Sequence, residues 1–485
     1  MMTTFLVAVP LATACLIGFL LPAKSVRFIG WSAIFASSLD FLLALFIVPR
    51  VVSVGSTGPA FWLSLDALAA FLVLIITLVG FFASLYSVGY LQAEVEKGII
   101  GPNRVRQYFL LFELFMFAML LAVSTTHPVV MWIAIEATTL STAFLISFYN
   151  KPSATEAAWK YLILNSLGLL LSLLGTLIFL ALPQIQTGIT DWSMLQASAA
   201  SFHPLAVKIA FVFILVGYGT KVGLVPLHTW KPDTYAKAPT PMAGLLASVL
   251  INVALFGILR FKTVTDASIG TGFSSGLFVM FGTISIVLAA LIIFIQKNYK
   301  RMLAYSGIEH AGIMALGFGF GGIGTFAALL HMLYHALVKA MLFFTAGNIF
   351  LKYSTTKMKQ ITGVLSVLPL SSVLFFGGFI AIAGLPPFGI FATKLLILSA
   401  GMMSYPWISG IVLFALAVVF FGFFRHVTAM LFGPIPQDIE PGESNMLTKI
   451  PIVLMAAIII IVSFDLPETI SSIVTAAAAS LTQPF

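Results

Sequence analysis

Apolar residues fill stretch after stretch of about 20 positions along nearly the whole chain, separated by short segments of Gly, Pro and charge. Such stretches are apolar on every side. That fits neither the two-residue alternation of a half-buried strand nor the single stripe of a surface helix. The pattern predicts an all-α integral membrane protein of about 14 transmembrane helices, the first over 4–21 and the last over 449–465. Two of them read as broken. The seventh (204–226) carries Gly217, Gly219 and Gly223 before Pro226, and the twelfth (363–403) is interrupted by Gly384-Leu385-Pro386-Pro387-Phe388-Gly389. Proline removes a backbone donor, and backbone freed at membrane depth must be buried in protein or line a polar cavity. Breaks in matching positions of two halves predict inverted repeats of helices 4–8 (about 105–260) and 9–13 (about 274–432) inside one polytopic domain, 1–485.

Composition supports this picture. Of 485 residues, 60% are hydrophobic and 8% charged, with mean hydropathy +1.10, whereas a soluble domain is about a quarter charged. The net charge of +8 would suit nucleic acid in a soluble protein; here membrane topology accounts for it, and no nucleic-acid partner is expected. With the N-terminus outside, 17 of the 24 Lys and Arg fall in inner loops, Lys231, Lys237 and Lys300 among them. Four, Arg50, Lys208, Arg260 and Lys262, fall outside. That bias predicts both termini facing outward. Cys15 is the single cysteine, which excludes an intramolecular disulfide and leaves no ligand set for an iron–sulfur cluster or a thiolate zinc site. No cofactor or metal is expected.

Three basic residues remain inside helices: Lys221, Lys339 and Lys394. Charge at mid-membrane is costly and marks ion pathways. Glu136 lies within the fifth helix and Glu113 within the fourth. His331, His335 and Lys339 recur at spacings of four on the eleventh, each step advancing about 6 Å and about 40°. They form one ionisable stripe about 12 Å long, the geometry of a proton wire bridged by water. Glu309-His310 on the tenth helix either joins that wire or bonds a neighbour. The plain alternatives are packing histidines, a structural ion pair at Glu136 or Lys221, and a Lys394 that snorkels to the surface. Asp66 reads as the cap of the third helix. The run Gly317 to Gly324 lacks the preceding strand that a nucleotide loop needs, so it reads as a tight turn.

At these residues the chain resembles a known family. Gly219-Thr220-Lys221-Val222-Gly223-Leu224-Val225-Pro226-Leu227-His228-Thr229-Trp230-Lys231-Pro232-Asp233, with Ala238-Pro239-Thr240-Pro241, resembles the broken-helix signature of antiporter-like subunits. That family comprises the proton-pumping subunits of respiratory complex I, Mrp cation/proton antiporters and the membrane arms of group 4 nickel–iron hydrogenases. Lys300-Arg301-Met302-Leu303-Ala304-Tyr305-Ser306 and the Gly-Leu-Pro-Pro break before Lys394 are similar too. Ser306 to His310 and Trp132 to Thr139 look most like component F of the hydrogenase-4 type.

The resemblance implies that Glu136 and Lys221 are the coupled pair of one half-channel. Lys339 would be the central relay reached through His331 and His335, and Lys394 the outward exit group. Glu113, His228, Asn252, Glu309 and His310 complete the candidate set. Asn252 is a departure: many members carry Lys or His midway along the eighth helix, and an amide holds no excess proton, though it orders water. The implied function is a proton-translocating subunit of a redox-driven complex, without a catalytic site of its own. Its partners would be further antiporter-like subunits, other membrane subunits and a soluble redox arm, in a prokaryotic plasma membrane. The alternatives are an Mrp-type sodium/proton antiporter subunit, an accessory subunit of inorganic-carbon uptake, and a non-conducting anchor.

Overall fold

The computed structural model describes residues 1–58, 62–183, 191–443 and 445–482. Fourteen helical passes hold most of them. They are α1 (Met2–Cys15, prolonged by a π turn to Leu20), α2 (Val26–Val54), α3 (Ala67–Glu96), α4 (Pro102–Ser124), α5 (Pro128–Ile146), α6 (Pro152–Ala181) and α7 (Pro204–Val222, resuming at Trp230–Lys237). There follow α8 (Thr240–Ile269), α9 (Thr271–Ile295), α10 (Tyr299–Phe320), α11 (Ile323–Tyr353), α12 (Pro369–Ala383, resuming at Gly389–Ser404), α13 (Pro406–Leu431) and α14 (Met446–Phe464). Among the described residues the only β-pairing is two isolated bridges.

Proline opens α4, α5, α6, α7, α12 and α13, a position where its missing N–H would be unpaired anyway. Asp66 caps α3 as expected, accepting from Ala69 N at 2.9 Å, and also binds Arg260 through both oxygens at 2.5 and 2.8 Å. The glycine run turns the chain between α10 and α11, with Gly321 and Gly322 at φ +74° and +51°, where side chains with a Cβ are disfavoured.

Helices α8 and α11 are enclosed by the rest of the bundle, and α3 nearly so. Helices α2, α6 and α13 turn Phe35, Phe46, Leu167, Leu170, Phe414 and Phe421 outward. In water this would be a large apolar patch; in a bilayer it is the lipid-facing side.

Several expectations are corrected. Lys231 and Lys300 are not loop residues of the inner surface: both are buried, Lys231 against the break in α7 and Lys300 between Thr240 Oγ1 at 2.6 Å and the ring of Phe350. Lys262 lies within α8 and pairs with Asp266 one turn on. The chain also continues past α14 into α15 (Glu468–Thr482), which packs on α2, α3 and α11 through Ile473, Val474 and Ala477.

Candidate functional site: a buried polar row between two broken helices

The two breaks are built alike. Helix α7 ends on Gly223 at φ +79°, ψ +38°, and the first part of α12 on Gly384 at φ +81°, ψ +49°, both left-handed. Leu224 N bonds Gly219 O and Gly223 N bonds Thr220 O; in α12, Leu385 N bonds Ile380 O and Gly384 N bonds Ala381 O. This is one terminating motif used twice. It leaves the carbonyl just before each glycine without a backbone donor, and in each case a lysine from beyond the break supplies one. Lys231 donates to Val222 O, and Lys394 donates to Ala383 O at 3.3 Å and Ile382 O at 3.5 Å. Each lysine stem lies across its glycine, where a Cβ would meet Lys231 Cε at 2.6 Å or Lys394 Cδ at 2.8 Å.

Lys221, in the last turn of α7 before the first break, is buried and donates to Thr139 Oγ1 at 2.5 Å and to the Tyr161 hydroxyl at 3.1 Å. Thr139 Oγ1 lies 3.3 Å from Glu136 Oε2, and Ser166 donates to Glu136 Oε1 at 2.9 Å. Glu136 and Lys221 are therefore brought together through a threonine hydroxyl. Glu136 itself is only half-buried, on a face of α5 where Ile133 and Leu140 point outward.

At the other end, Lys394 does not reach for the surface. It is buried and ion-paired with Glu309 Oε1 at 2.9 Å. Glu309 Oε2 is 3.2 Å from His310 Nε2. His310 Nδ1 is 2.8 Å from His331 Nε2, and His331 Nδ1 is 2.8 Å from Thr393 Oγ1. His310 also stands between the two histidines of α11, its ring 5.0 Å from each, while those two are 6.5 Å apart. The stripe on α11 thus runs through a residue of α10.

The proton order along this segment follows from its end groups. His310 Nε2 faces Ile382 O at 3.0 Å, and a carbonyl only accepts. That nitrogen therefore carries a hydrogen. In the neutral ring Nδ1 is then bare and accepts from His331 Nε2–H, so His331 Nδ1 is bare and accepts from the Thr393 hydroxyl. The tautomers are assigned by this network. The three groups form a polarised chain, which an added proton reverses by hopping from ring to ring.

Lys339 donates to Leu303 O at 3.0 Å and Ser306 Oγ at 2.6 Å. His335, one turn before it, has neither ring nitrogen bonded to a described residue. Asn252 donates to Met332 O at 3.3 Å, and neither its Oδ1 nor the Nδ1 of His228 has a partner among the described residues. Buried polar atoms of this kind mark places where water belongs.

Glu113 stands apart from the row, between α2 and α4. It shares that place with Asp40, which nothing in the sequence pattern singles out; one oxygen of each is buried without a bond to a described residue. Lys231 was missed as well. Its segment, Trp230-Lys231-Pro232-Asp233, has the polarity of a surface turn, and only the repeated Gly-Leu-x-Pro at 223–226 and 384–387 sets it beside Lys394.

Comparisons with known proteins show the family and the fold. Residues 125–421 match the family model described as NADH:quinone oxidoreductase/Mrp antiporter, transmembrane, and residues 52–98 match that of the N-terminus of chain 5 of NADH-ubiquinone oxidoreductase (complex I). The hydrogenase-4 component F homolog of Methylacidiphilum infernorum is 36% identical over 435 residues, covering 88% of this chain and 90% of that protein. A chain of the membrane-bound sulfane sulfur reductase, an archaeal respiratory membrane complex, superposes with TM-score 0.88 at 26% identity, covering 99% of this chain and 98% of that one. A chain of the Mrp complex of Dietzia sp. superposes at 0.87, covering 100% and 97%; at 18% identity it shares the fold.

Proposed function

Because the chain belongs to the NADH:quinone oxidoreductase/Mrp antiporter transmembrane family, we propose that it carries protons across the bilayer as an antiporter-like subunit of a redox-driven complex of the hydrogenase-4 or complex I type. The observation that carries this reading is the row of groups that runs from the half-buried Glu136 through buried Thr139, Lys221, Lys339, His335, His331 and His310 to Glu309 and Lys394. A packing role asks for no such succession of ionisable groups in the interior. In this reading Glu136 and Lys221 are the switching pair, Lys339 the central relay and Lys394 the exit group, with His228 and Asn252 ordering water. The two breaks, alike in backbone and in capping lysine, support inverted repeats of α4–α8 and α9–α13.

The half-exposed Glu136 supports a protein neighbour. A carboxylate facing lipid between Ile133 and Leu140 is costly, and a second membrane subunit lying against α5 removes that cost. With Lys231 and Lys300 taken from the inner set and Lys262 from the outer, the Lys/Arg bias is 15 to 3, which still supports outward-facing termini in a prokaryotic plasma membrane.

A sodium/proton antiporter is the second reading, and Asp40 with Glu113 is the feature that favours it, since two carboxylates suit a hard cation. Proton uptake by inside-out vesicles containing the assembled complex separates the two. Redox-driven acidification that persists in sodium-free buffer and vanishes in Lys339→Ala supports proton translocation. Uptake that requires sodium, or that is unchanged in Lys339→Ala, overturns it.

A further inference from the structure

Lys231 has no place in the row described above, yet its side chain is fully enclosed by protein. An enclosed ammonium is expensive in a low-dielectric interior, and a surface residue one register away would avoid the cost. Asp233, two positions on, does reach the inner surface, where it meets Lys160 at 3.3 Å and Arg301 at 3.4 Å. The chain therefore turns Lys231 inward at the point where its neighbour turns out.

Its seat is the counterpart of the seat of Lys394. Both lysines come from the helical segment beyond a break, lie across a left-handed glycine and donate to the carbonyl preceding it. Lys394 belongs to the proton row through Glu309. The segment that carries Lys231 lies against the helices of the other half: the His228 ring is 6.2 Å from that of Tyr305 on α10, and the Tyr235 ring is 5.9 Å from that of Phe343, one turn beyond Lys339 on α11. His335 is the one histidine of the row whose two ring nitrogens both lack a protein partner among the described residues. On α8, the enclosed helix beside α11, this chain has Asn252, which bonds α11 at Met332 O and holds no excess proton.

We propose that Lys231 is the relay between the two half-channels in this chain, in the role that Asn252 leaves open. The inference rests on the proton-translocation reading. In the step, the Nζ–H bond of the Lys231 ammonium breaks and its proton passes through water to a bare ring nitrogen of His335, leaving a neutral amine and an imidazolium. The amine regains a proton through water from the Lys221 side, and the imidazolium passes its own to Lys339.

The test is redox-driven proton uptake by inside-out vesicles holding the complex, normalised to the amount of assembled subunit, in Lys231→Gln, Lys231→Gln/Asn252→Lys and Lys339→Ala. Gln keeps a donor for Val222 O and cannot carry the proton. The expected result is at least a tenfold fall in Lys231→Gln, with Asn252→Lys restoring a third or more of the rate. Wild-type uptake in Lys231→Gln overturns the proposal and leaves Lys231 as a helix cap. A fall that Asn252→Lys does not restore overturns it too, assigning Lys231 to positioning the break. If Lys231→Gln fails to assemble, Lys231→Arg, which keeps the donor and holds its proton tightly, takes its place with the same outcomes. Loss of uptake in Lys339→Ala with wild-type uptake in Lys231→Gln defeats this inference alone, whereas unchanged uptake in Lys339→Ala defeats the reading beneath it.

Discussion

Lys221 meets Glu136 through Thr139: the ammonium donates to Thr139 Oγ1 at 2.5 Å, and that hydroxyl lies 3.3 Å from a carboxylate oxygen of Glu136. A threonine hydroxyl has one hydrogen to give. While Lys221 is charged, that hydrogen points at Glu136 and holds the pair coupled without contact between the ions.

Thr139→Val is therefore expected to uncouple the pair at nearly constant volume. Proton uptake should fall about tenfold, a barrier increase of about 1.4 kcal/mol, with the complex assembled. Thr139→Ser should retain most of the activity. Initial rates of dye quenching in vesicles, with subunit content measured by immunoblot, check both. Equal rates for Val and Ser would leave the hydroxyl no part in the coupling.

The Lys394–Glu309 pair is buried on both sides, and removing one partner strands a charge at a cost of about 3–5 kcal/mol. Glu309→Gln should lower the thermal stability of the purified complex and abolish uptake. Glu309→Gln/Lys394→Met should recover much of the stability and none of the transport. A double variant as unstable as the single one would show that the pair is not what holds α10 to α12.

In the tautomer assigned above, Thr393 gives its one hydrogen to His331 Nδ1 rather than to the carbonyls of Gly389 and Ile390, 3.2 and 3.0 Å away. Thr393→Val removes that donor and frees the ring to take its other tautomer, whose bare Nε2 faces the bare Nδ1 of His310 and breaks the bond between the two rings, and uptake should slow several-fold. Thr393→Ser should restore it. The nitrogen shifts of labelled His331 report the tautomer directly and should differ between the Val and Ser variants.

Gly223→Ala and Gly384→Ala each place a Cβ in left-handed backbone, costing about 1–2 kcal/mol, and each pushes it against the capping lysine. Both should lower stability, and both should impair uptake more than a glycine-to-alanine change at Gly276, which faces open space. Equal effects at the three positions would remove the breaks from the mechanism.

Most of the fold was legible because lipid imposes a length and a polarity on every pass, and because Gly-Leu-x-Pro within an apolar run interrupts the helix that carries it. Lys221, His331, His335 and Lys339 were legible for the same reason: ionisable residues are rare there. Partners were not. Nothing in sequence spacing joins Glu309 to Lys394, 85 positions apart, or inserts His310 between two histidines of another helix. Lys231 and Lys300 were misplaced because a polar turn folded back into the bundle has the same composition as one lying in water. Helix α15 escaped notice because its 15 residues fall short of the length that marks a span.

The carbonyls that receive Lys231 and Lys394 sit at the negative ends of half-helices, whose aligned peptide dipoles favour a cation. On the proposed function, a lysine in that seat would be a clasp as well as a carrier. Loss of its proton would remove the attraction that closes the seat and free the two halves of the helix to hinge about the glycine. Conversely, a force from a neighbouring subunit that opens the hinge pulls the carbonyl away and loosens the proton. Charge movement and bending would then be two faces of one event, and a pull on the backbone from outside this chain would be enough to drive it.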